Sequence, residues 1–288
     1  MPKDEPAPTV MGHLGPLPPK PKRLATKFLS RHILPSDQHA FVGRIYGLSI
    51  VAYHFDSYND LSQHSDCKYA FDVNEVLSAL TTRVESLNIA GSMLWPDPMP
   101  EDFGRFPLSR HDWLTVSADV FLMRYISVVD CAMLLVNEIY EAGLAKHLCG
   151  IPKLRKAGAP PVILDILQAM IDDQGQLRAE RNARVHHGDD RPFTQDNQTF
   201  KIVAIFENRA NGMTGTDQFG RRINIDRMFR EGLVELQREF NRSTKALVRL
   251  LDRLYDALHN EFERRFLPRF RSATHGLNRR SPESADTK

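Results

Sequence analysis

Three residues in the stretch RAERNARVHHGDD, positions 178 to 190, combine a phosphate-binding cation, an amide and a titratable base. Arg181 can clamp a phosphate and stabilise the negative charge that develops on it in a transition state. His186 supplies an imidazole, which can deprotonate a ribose 2′-hydroxyl or protonate a leaving oxygen. Asn182 lies four residues earlier, about 40° around a helix axis, and can orient the imidazole. These residue types fit metal-independent RNA cleavage, which would leave a 2′,3′-cyclic phosphate and spare DNA.

The spacing of this group sets a geometric condition. Arg181 and His186 are five residues apart, which corresponds to about 140° around a regular helix. The two side chains can meet at one ligand if the helix loosens before Gly188, if the long arginine reaches around it, or if two chains contribute to one cleft. The sequence leaves these alternatives open, and the last one makes dimerisation part of the functional question.

The sequence RNARVH, followed by HG, resembles the Rx4-6H motif of the HEPN superfamily, in which a polar residue, often asparagine, follows the arginine. The resemblance implies that Arg181, Asn182 and His186 are the motif residues, and His187 also falls within the permitted spacing. It further implies a helical bundle that commonly dimerises. Many members are metal-independent RNases of toxin–antitoxin, abortive-infection and other defence systems.

The same resemblance implies further site residues and partners. Some members have an acidic residue on the long helix before the motif, and Asp130 and Glu138 are the candidates here. The expected function is a metal-independent endoribonuclease without a cofactor, acting as a homodimer on RNA in a toxin-like or antiviral defence role. An antitoxin or another protein is a candidate partner. The alternative is a non-cleaving RNA- or nucleotide-binding HEPN module whose long last helix docks a partner protein.

Two competing interpretations do not involve this family. Residues 178–188 could simply be a solvated helix end, where arginine and histidine interact favourably with the helix dipole. A different enzyme class is indicated by RHDW, in which His111 and Asp112 form the adjacent pair used by metal-dependent HD phosphohydrolases. That site would also need His54 or His64 and the downstream Asp130. Because RHDW also fits a helix start, where an aspartate complements the dipole, the metal site is the weaker prediction.

Composition limits the class of protein. A chain of 288 residues with 42% apolar residues can build a core, and a formal net charge of only +2 gives no global field for nucleic acid. Three widely spaced cysteines without a CxxC pair indicate a reducing cytosol and no zinc site. No apolar N-terminal segment resembles a secretory signal, and the most apolar stretch, 120–136, is short and contains two charges. We therefore expect a cytoplasmic protein without membrane contact.

The elements that must position the motif are predicted to be helices. The expected fold class is mainly α, an HEPN-like helical bundle with a long C-terminal helix and a small β-hairpin insertion. Gly175 is expected to interrupt the motif helix and Gly188 to end it. The last helix is about 40 residues long, and part of its apolar stripe is available to a partner subunit. The predicted segments are helices at 37–55, 72–95, 109–144, 160–172, 177–187 and 229–266, a polar loop at 56–69 and the hairpin within 198–226.

Three regions are expected along the chain. Residues 1–35 are rich in proline and should be disordered or extended. Residues 36–271 form the helical HEPN-like domain, and residues 272–288 form a disordered tail. Near the end of the last helix, Phe266 and Phe270 lie among four arginines, and core packing with a basic rim is favoured over stacking on bases.

Overall fold

The structure, a computed structural model, describes residues 26–188, 190–210, 213–273 and 277. The described part of the chain is mainly α, as predicted. No helix within it has both the length and the apolar character needed to cross a membrane. The helices are α1 Ala40–Ser49, α2 Tyr58–Ser62, α3 Ser65–Leu94, α4 Arg110–Ile139, α5 Ile151–Lys156, α6 Pro161–His187, α7 Asn197–Ala210 and α8 Ile225–Ser272, with 3-10 turns at Ile50–His54 and Lys146–Leu148.

Helix starts and stops follow the local chemistry of the sequence. The Ser109 hydroxyl accepts a hydrogen bond from the Asp112 backbone N–H at 3.1 Å and so caps α4. Pro161 occupies the first turn of α6, where a missing N–H costs nothing. Gly175 kinks α6 with φ 24° and ψ −106°. Gly188 ends it with φ 71°, a left-handed conformation that glycine adopts without strain.

The β-hairpin predicted within residues 198–226 was wrong for its first strand, because α7 spans Asn197–Ala210. Alternating β-branched residues indicated a strand, yet the buried residues recur at helical spacing. In the described part of this region, β pairing is limited to one isolated bridge between Thr216 and Arg222. The inward residues of α7 are Phe200, Val203 and Ala204, whereas Ile202, Ile205 and Phe206 are exposed.

The segment 56–69, expected to be a polar loop, is also largely helical. The Ser57 hydroxyl accepts a hydrogen bond from the Asp60 N–H at 3.2 Å and starts α2. Helix α3 begins at Ser65 rather than at residue 72. Leu61, Cys67 and Tyr69 provide buried positions in an otherwise polar stretch. Three buried apolar residues are too few to produce a recognisable helical period, which is why the sequence favoured a loop.

The chain divides into two compact units, and each is considered separately. The first contains the described residues of Met1–Phe28, Pro100–Leu114 and Pro192–Val234. The second contains those of Leu29–Met99, Thr115–Arg191 and Glu235–Lys288. The motif and the helix surface around it belong to the second unit.

The core of the first unit is built around one arginine. The Arg110 guanidinium carbon lies 4.3 Å from the ring centroid of Phe103 and 5.4 Å from that of Phe229. Its Nε donates to Glu207 at 2.7 Å, and its Nη2 lies 2.9 Å from an Asp226 carboxylate oxygen. Arg110 is thus a fully paired structural cation between aromatic rings.

The core of the second unit includes the apolar stripe of α8. Part of this stripe was expected to contact a partner subunit, but other residues of the same chain cover the stripe residues given below. The stripe is therefore core, and a homodimer would need another surface. Its buried residues in this unit are Leu236, Phe240, Leu247, Leu254, Leu258, Phe262 and Phe266.

An extended segment, residues 29–34, lies against α3 and α8 in the second unit. Asn88 accepts from the Leu34 N–H at 3.0 Å and donates to the Leu34 carbonyl at 2.9 Å. Asn241 accepts from the His32 N–H and donates to the Ser30 carbonyl, both at 2.8 Å. Side-chain amides therefore satisfy backbone groups that a neighbouring strand would otherwise satisfy. Residues 1–25 of the Pro-rich region lie outside the described residues.

Candidate functional site

The motif residues lie in the last turns of α6, between the kink at Gly175 and the stop at Gly188. Gly175 is the residue of α6 with non-helical backbone angles, so the helix does not loosen before Gly188. Arg181 and His186 consequently stay about 140° apart around the axis. The reach of the arginine side chain and the contribution of a second chain are the alternatives that remain for bringing them to one ligand.

The three motif side chains are not engaged by the described part of the fold. Arg181, Asn182 and His186 make no hydrogen bond or ion pair with any residue that the structure describes. Arg181 is half-buried, whereas Asn182 and His186 are exposed. His187, the second histidine within the motif spacing, is exposed as well. No described residue competes with a ligand for these four side chains.

The other arginines of this region are paired. An Arg178 Nη2 lies 3.1 Å from an Asp130 carboxylate oxygen, and Arg178 also donates to Gln174. Arg184 is paired with Asp119 on α4 at 2.6 Å. Arg191 lies 3.2 Å from Glu180 and 2.7 Å from Glu239. Arg181 is therefore unlike its neighbours, because its charge is not used to hold the described fold together.

A cavity of about 310 Å³ lies next to the end of α6, and we call it the Arg181 cavity. Neither Asn182 nor His186 lines it, but Gly188, two residues beyond His186, does. The backbone of His186 is thus near the cavity, while its imidazole lies on another face of α6. The lining residues are Arg181, Arg184, Gly188 and Asp190, together with Thr115, Asp119, Leu122 and Met123 on one face of α4.

The two acidic residues predicted on the preceding helix do not line the Arg181 cavity. Asp130 lies eleven residues beyond Asp119 in the sequence, about 16 Å along the helix, and is paired with Arg178. Glu138 lies about 28 Å along α4 from Asp119. Burial raises the pKa of Glu138, and the nearby Asp72 carboxylate raises it further.

Asp119 is the α4 carboxylate that lines the Arg181 cavity, and sequence reasoning missed both it and Arg184. Their contact joins residues 65 positions apart. Nothing in the local pattern of either helix reveals such a pair. One sequence feature could have pointed to Arg184. It is three residues from Arg181, so the two arginines lie on neighbouring positions of the same helix face.

The alternative metal site is not assembled in the described residues. The buried His111 ring packs against Phe193 and Phe200, with centroids 5.6 Å and 5.7 Å away. Asp112 accepts a hydrogen bond from the Ser109 hydroxyl at 2.7 Å, as expected at a helix start. No group of three or more His, Cys, Asp and Glu side chains in the described part of the chain could hold a metal ion. The HD interpretation therefore has no structural support.

A second cavity, of about 250 Å³, differs in its chemistry. It is lined by His39, Asp252 and Tyr255 together with apolar and small polar residues, and by no lysine or arginine of the described chain. His39 Nε2 lies 3.3 Å from an Asp256 carboxylate oxygen. An anionic ligand would meet no permanent cation among these lining residues, so the Arg181 cavity is the better phosphate site.

Comparisons with protein-family models, with curated proteins and with solved structures found no match to this chain. The function is therefore inferred from the residues of the site and from the motif that they form.

Proposed function

We propose that the protein binds RNA at the Arg181 cavity and cleaves it without a metal ion. The observation that supports this most strongly is the state of Arg181. Its half-buried side chain lines the cavity and has no ion pair with any described residue, whereas Arg178, Arg184 and Arg191 are all paired. A cation kept unpaired in a cavity favours an anionic ligand such as a phosphate. The RNARVH motif, through its HEPN resemblance, supports RNA as the source of that phosphate.

The chemistry assigns a separate role to each motif residue. Arg181 binds the phosphate and stabilises the negative charge of the transition state. The 2′-oxygen attacks phosphorus and forms the cyclic ester, while the bond from phosphorus to the 5′-oxygen breaks. His186 removes the proton of the 2′-hydroxyl or donates a proton to the leaving 5′-oxygen. Asn182, one turn earlier, orients the imidazole.

The 140° between Arg181 and His186 makes the source of the histidine part of the proposal. Gly188 lines the cavity, so the backbone of His186 in the same chain lies near it, and the imidazole would have to turn towards it. A homodimer would instead supply the imidazole from a second chain. Mixing Arg181→Ala protein with His186→Ala protein separates the two, because recovered cleavage requires that different chains contribute the two groups.

The second candidate function is RNA or nucleotide binding without cleavage. It is favoured by the regular course of α6 up to His187, which leaves the arginine and the histidine on different faces of one chain. In that case the Arg181 cavity binds a phosphate, but no base is held at the 2′-hydroxyl.

The test is incubation of the purified protein with mixed RNA in EDTA, beside Arg181→Ala and His186→Ala. Arg178→Ala is the matched control, because Arg178 belongs to the same helix but is paired with Asp130 outside the cavity. We expect the native protein and Arg178→Ala to produce 2′,3′-cyclic phosphate ends, and the two motif variants to produce almost none.

Each other outcome has a defined meaning. RNA binding by the native protein without cleavage would favour the second candidate function. Equal behaviour of all variants would show that the site is wrong. Loss of cleavage in EDTA would contradict the metal-independent mechanism. His187→Ala, tested in parallel, shows which of the two adjacent histidines is used.

A further inference from the structure

We infer that Arg184 and Thr115 are additional phosphate ligands in the Arg181 cavity and that Asp119 positions Arg184. We further infer that the cavity accepts the singly charged phosphodiester within a nucleic-acid strand in preference to a doubly charged terminal phosphate. The inference deepens the proposed function and rests on it, since it concerns the same cavity, but its test does not depend on cleavage.

Arg184 has a buried side chain that is only partly satisfied. This side chain is 8% exposed, and Asp119 Oδ1 lies 2.7 Å from its Nε and 2.6 Å from its Nη2. Its Nη1 is buried and has no hydrogen-bond partner among the described residues. A buried guanidinium N–H without an acceptor is costly, and Arg184 lines a cavity where a ligand oxygen could supply one.

Thr115, on α4, also has a buried polar atom without a hydrogen-bond partner in the described chain. Its Oγ1 is buried and without a partner among the described residues, and it lines the same cavity. Thr115 is four residues before Asp119, so the hydroxyl and the carboxylate are neighbours on one face of α4. Two unsatisfied donors from two helices thus meet at one cavity. The acceptor oxygens of a phosphate would satisfy both.

The Asp119 carboxylate fixes the orientation of Arg184. It contacts the Nε side of the guanidinium and leaves Nη1 as the unpaired end within the described chain. The Asp119 side chain is 44% exposed, so it stays solvated while Arg184 is held in place. This makes Asp119 a positioning residue that acts through Arg184.

The charges of the cavity limit the ligand. Arg181 and Arg184 contribute two positive charges, and Asp119 already neutralises that of Arg184. A ligand with one negative charge matches the charge of Arg181, whereas a second negative charge would be repelled by the Asp119 carboxylate. Met123, which is 59% exposed, adds apolar surface for the sugar or base next to the phosphate.

The experiment measures binding of a single-stranded DNA oligonucleotide by fluorescence anisotropy with the full-length chain. DNA lacks the 2′-hydroxyl, so binding is observed without cleavage. Two versions of the oligonucleotide carry the same internal label, one with hydroxyl groups at both ends and one with a 5′-phosphate. We expect the two to bind equally well.

The variants change one donor at a time. Arg184→Lys keeps the charge but removes the guanidinium fork, and we expect an affinity loss of about 10- to 100-fold. Thr115→Val keeps the shape but removes the hydroxyl, and we expect a loss of about threefold to tenfold. The controls are Arg178→Lys, whose arginine pairs outside the cavity, and Thr194→Val, which removes another buried hydroxyl without a partner in the described chain. Both controls should bind like the native protein.

The positioning role of Asp119 is tested by comparing the oligonucleotide affinity and the thermal midpoint of two variants. Asp119→Asn should weaken binding, and Asp119→Glu should restore part of the affinity, because a carboxylate again directs Arg184. A purely structural role would change the thermal midpoint of both variants without this recovery of binding. Equal affinity for all Asp119 variants would contradict the positioning role.

Several results would overturn the inference. These are native affinity in folded Arg184→Lys and Thr115→Val proteins, no binding of the oligonucleotide by the native protein, or stronger binding of the 5′-phosphorylated version. The two proposals also fail separately. RNA cleavage that is unaffected by Arg184→Lys and Thr115→Val would contradict only the additional ligands, whereas variant-sensitive binding without RNA cleavage would contradict only the nuclease.

Discussion

Two helix ends in this protein are rich in arginine, and most of these arginines are paired at one end, whereas Arg181 at the other end is not paired with any described residue. At the end of α8, Phe266 is 1% exposed and stacks with Phe262 and Phe270, with centroids 5.4 Å and 5.8 Å away. Three of the four arginines around these rings are paired, Arg264 and Arg265 with Glu261, and Arg265 and Arg269 with Glu141. This end is core packing surrounded by a basic rim.

The end of α6 has a different pattern. Arg181 has no carboxylate three or four residues away on either side, since those positions hold Leu177, Arg178, Arg184 and Val185. Its direct neighbour Glu180 pairs with Arg191 instead. The comparison shows that the number of arginines does not identify a binding site. The informative property is whether a carboxylate reaches the arginine, either from its own helix or from another segment, because that decides whether its charge is neutralised within the fold.

The largest difference between the two ends should appear in cleavage. We expect His186→Ala to lower the rate of cyclic-phosphate formation by about 100- to 10,000-fold, because a general acid–base group is lost. Since His186 is exposed, the free energy of unfolding should change by less than about 0.5 kcal/mol. Single-turnover cleavage of labelled RNA in EDTA measures the rate. A rate within twofold of native would contradict the assignment of His186.

The end of α8 should respond in stability instead. Phe266→Ala removes a buried ring from a stack of three, and we expect it to lower the free energy of unfolding by about 3 to 5 kcal/mol. Urea unfolding followed by circular dichroism measures this change. A loss below about 1 kcal/mol would show that the aromatic cluster does not stabilise the second unit and would weaken the comparison.

RNA affinity should separate the arginines themselves. We expect Arg181→Gln to weaken binding of a non-cleavable oligonucleotide by about 10- to 100-fold. The slope of log affinity against log salt should also decrease in magnitude by about 0.7, because one phosphate contact to a single strand is lost. Arg264→Gln, which removes an arginine already paired with Glu261, should change neither value. Equal effects of the two substitutions would indicate nonspecific attraction.

The smallest effect is expected at the stop of α6. Gly188 has φ 71°, and no described atom lies within 4 Å of the position that a Cβ would occupy, so Gly188→Ala introduces backbone strain without a clash. We expect the free energy of unfolding to fall by about 1 kcal/mol. Gly188→Asn should cost less, because asparagine tolerates the left-handed conformation better. Thermal unfolding of both variants checks the order.

Local chemistry explains which parts of the fold the sequence could predict. Ser109, Pro161 and Gly188 act through their own backbone and nearest neighbours, so their effects can be predicted from a short window. In α7, apolar residues at 200, 202, 203, 205 and 206 fit a strand and a helix alike. The segment forms a helix because one helical face packs into the core, and this burial depends on tertiary contacts that a short window does not show.

The residues of the site likewise divide into those that a short sequence window reveals and those that only a contact between helices reveals. Arg181, Asn182 and His186 could be selected from one short motif, and the structure leaves all three side chains without an intramolecular partner in its described part. Arg184 could not be selected, because what distinguishes it is its contact with Asp119 on another helix. The acidic candidates Asp130 and Glu138 were chosen by position along α4, and their distance from the cavity follows from the rise of the helix.

The extended segment at residues 29–34 has a practical consequence for any shortened version of this protein. A chain trimmed at residue 35 to remove a proline-rich tail would lose the backbone partners of Asn88 and Asn241. The Asn88 amide would exchange two buried hydrogen bonds for bonds to water, at a cost of about 1 to 3 kcal/mol. A chain that starts at residue 26 should therefore melt at a higher temperature than one that starts at residue 36. The extended peptide acts as an internal ligand for two helices, and the useful trimming point lies before it.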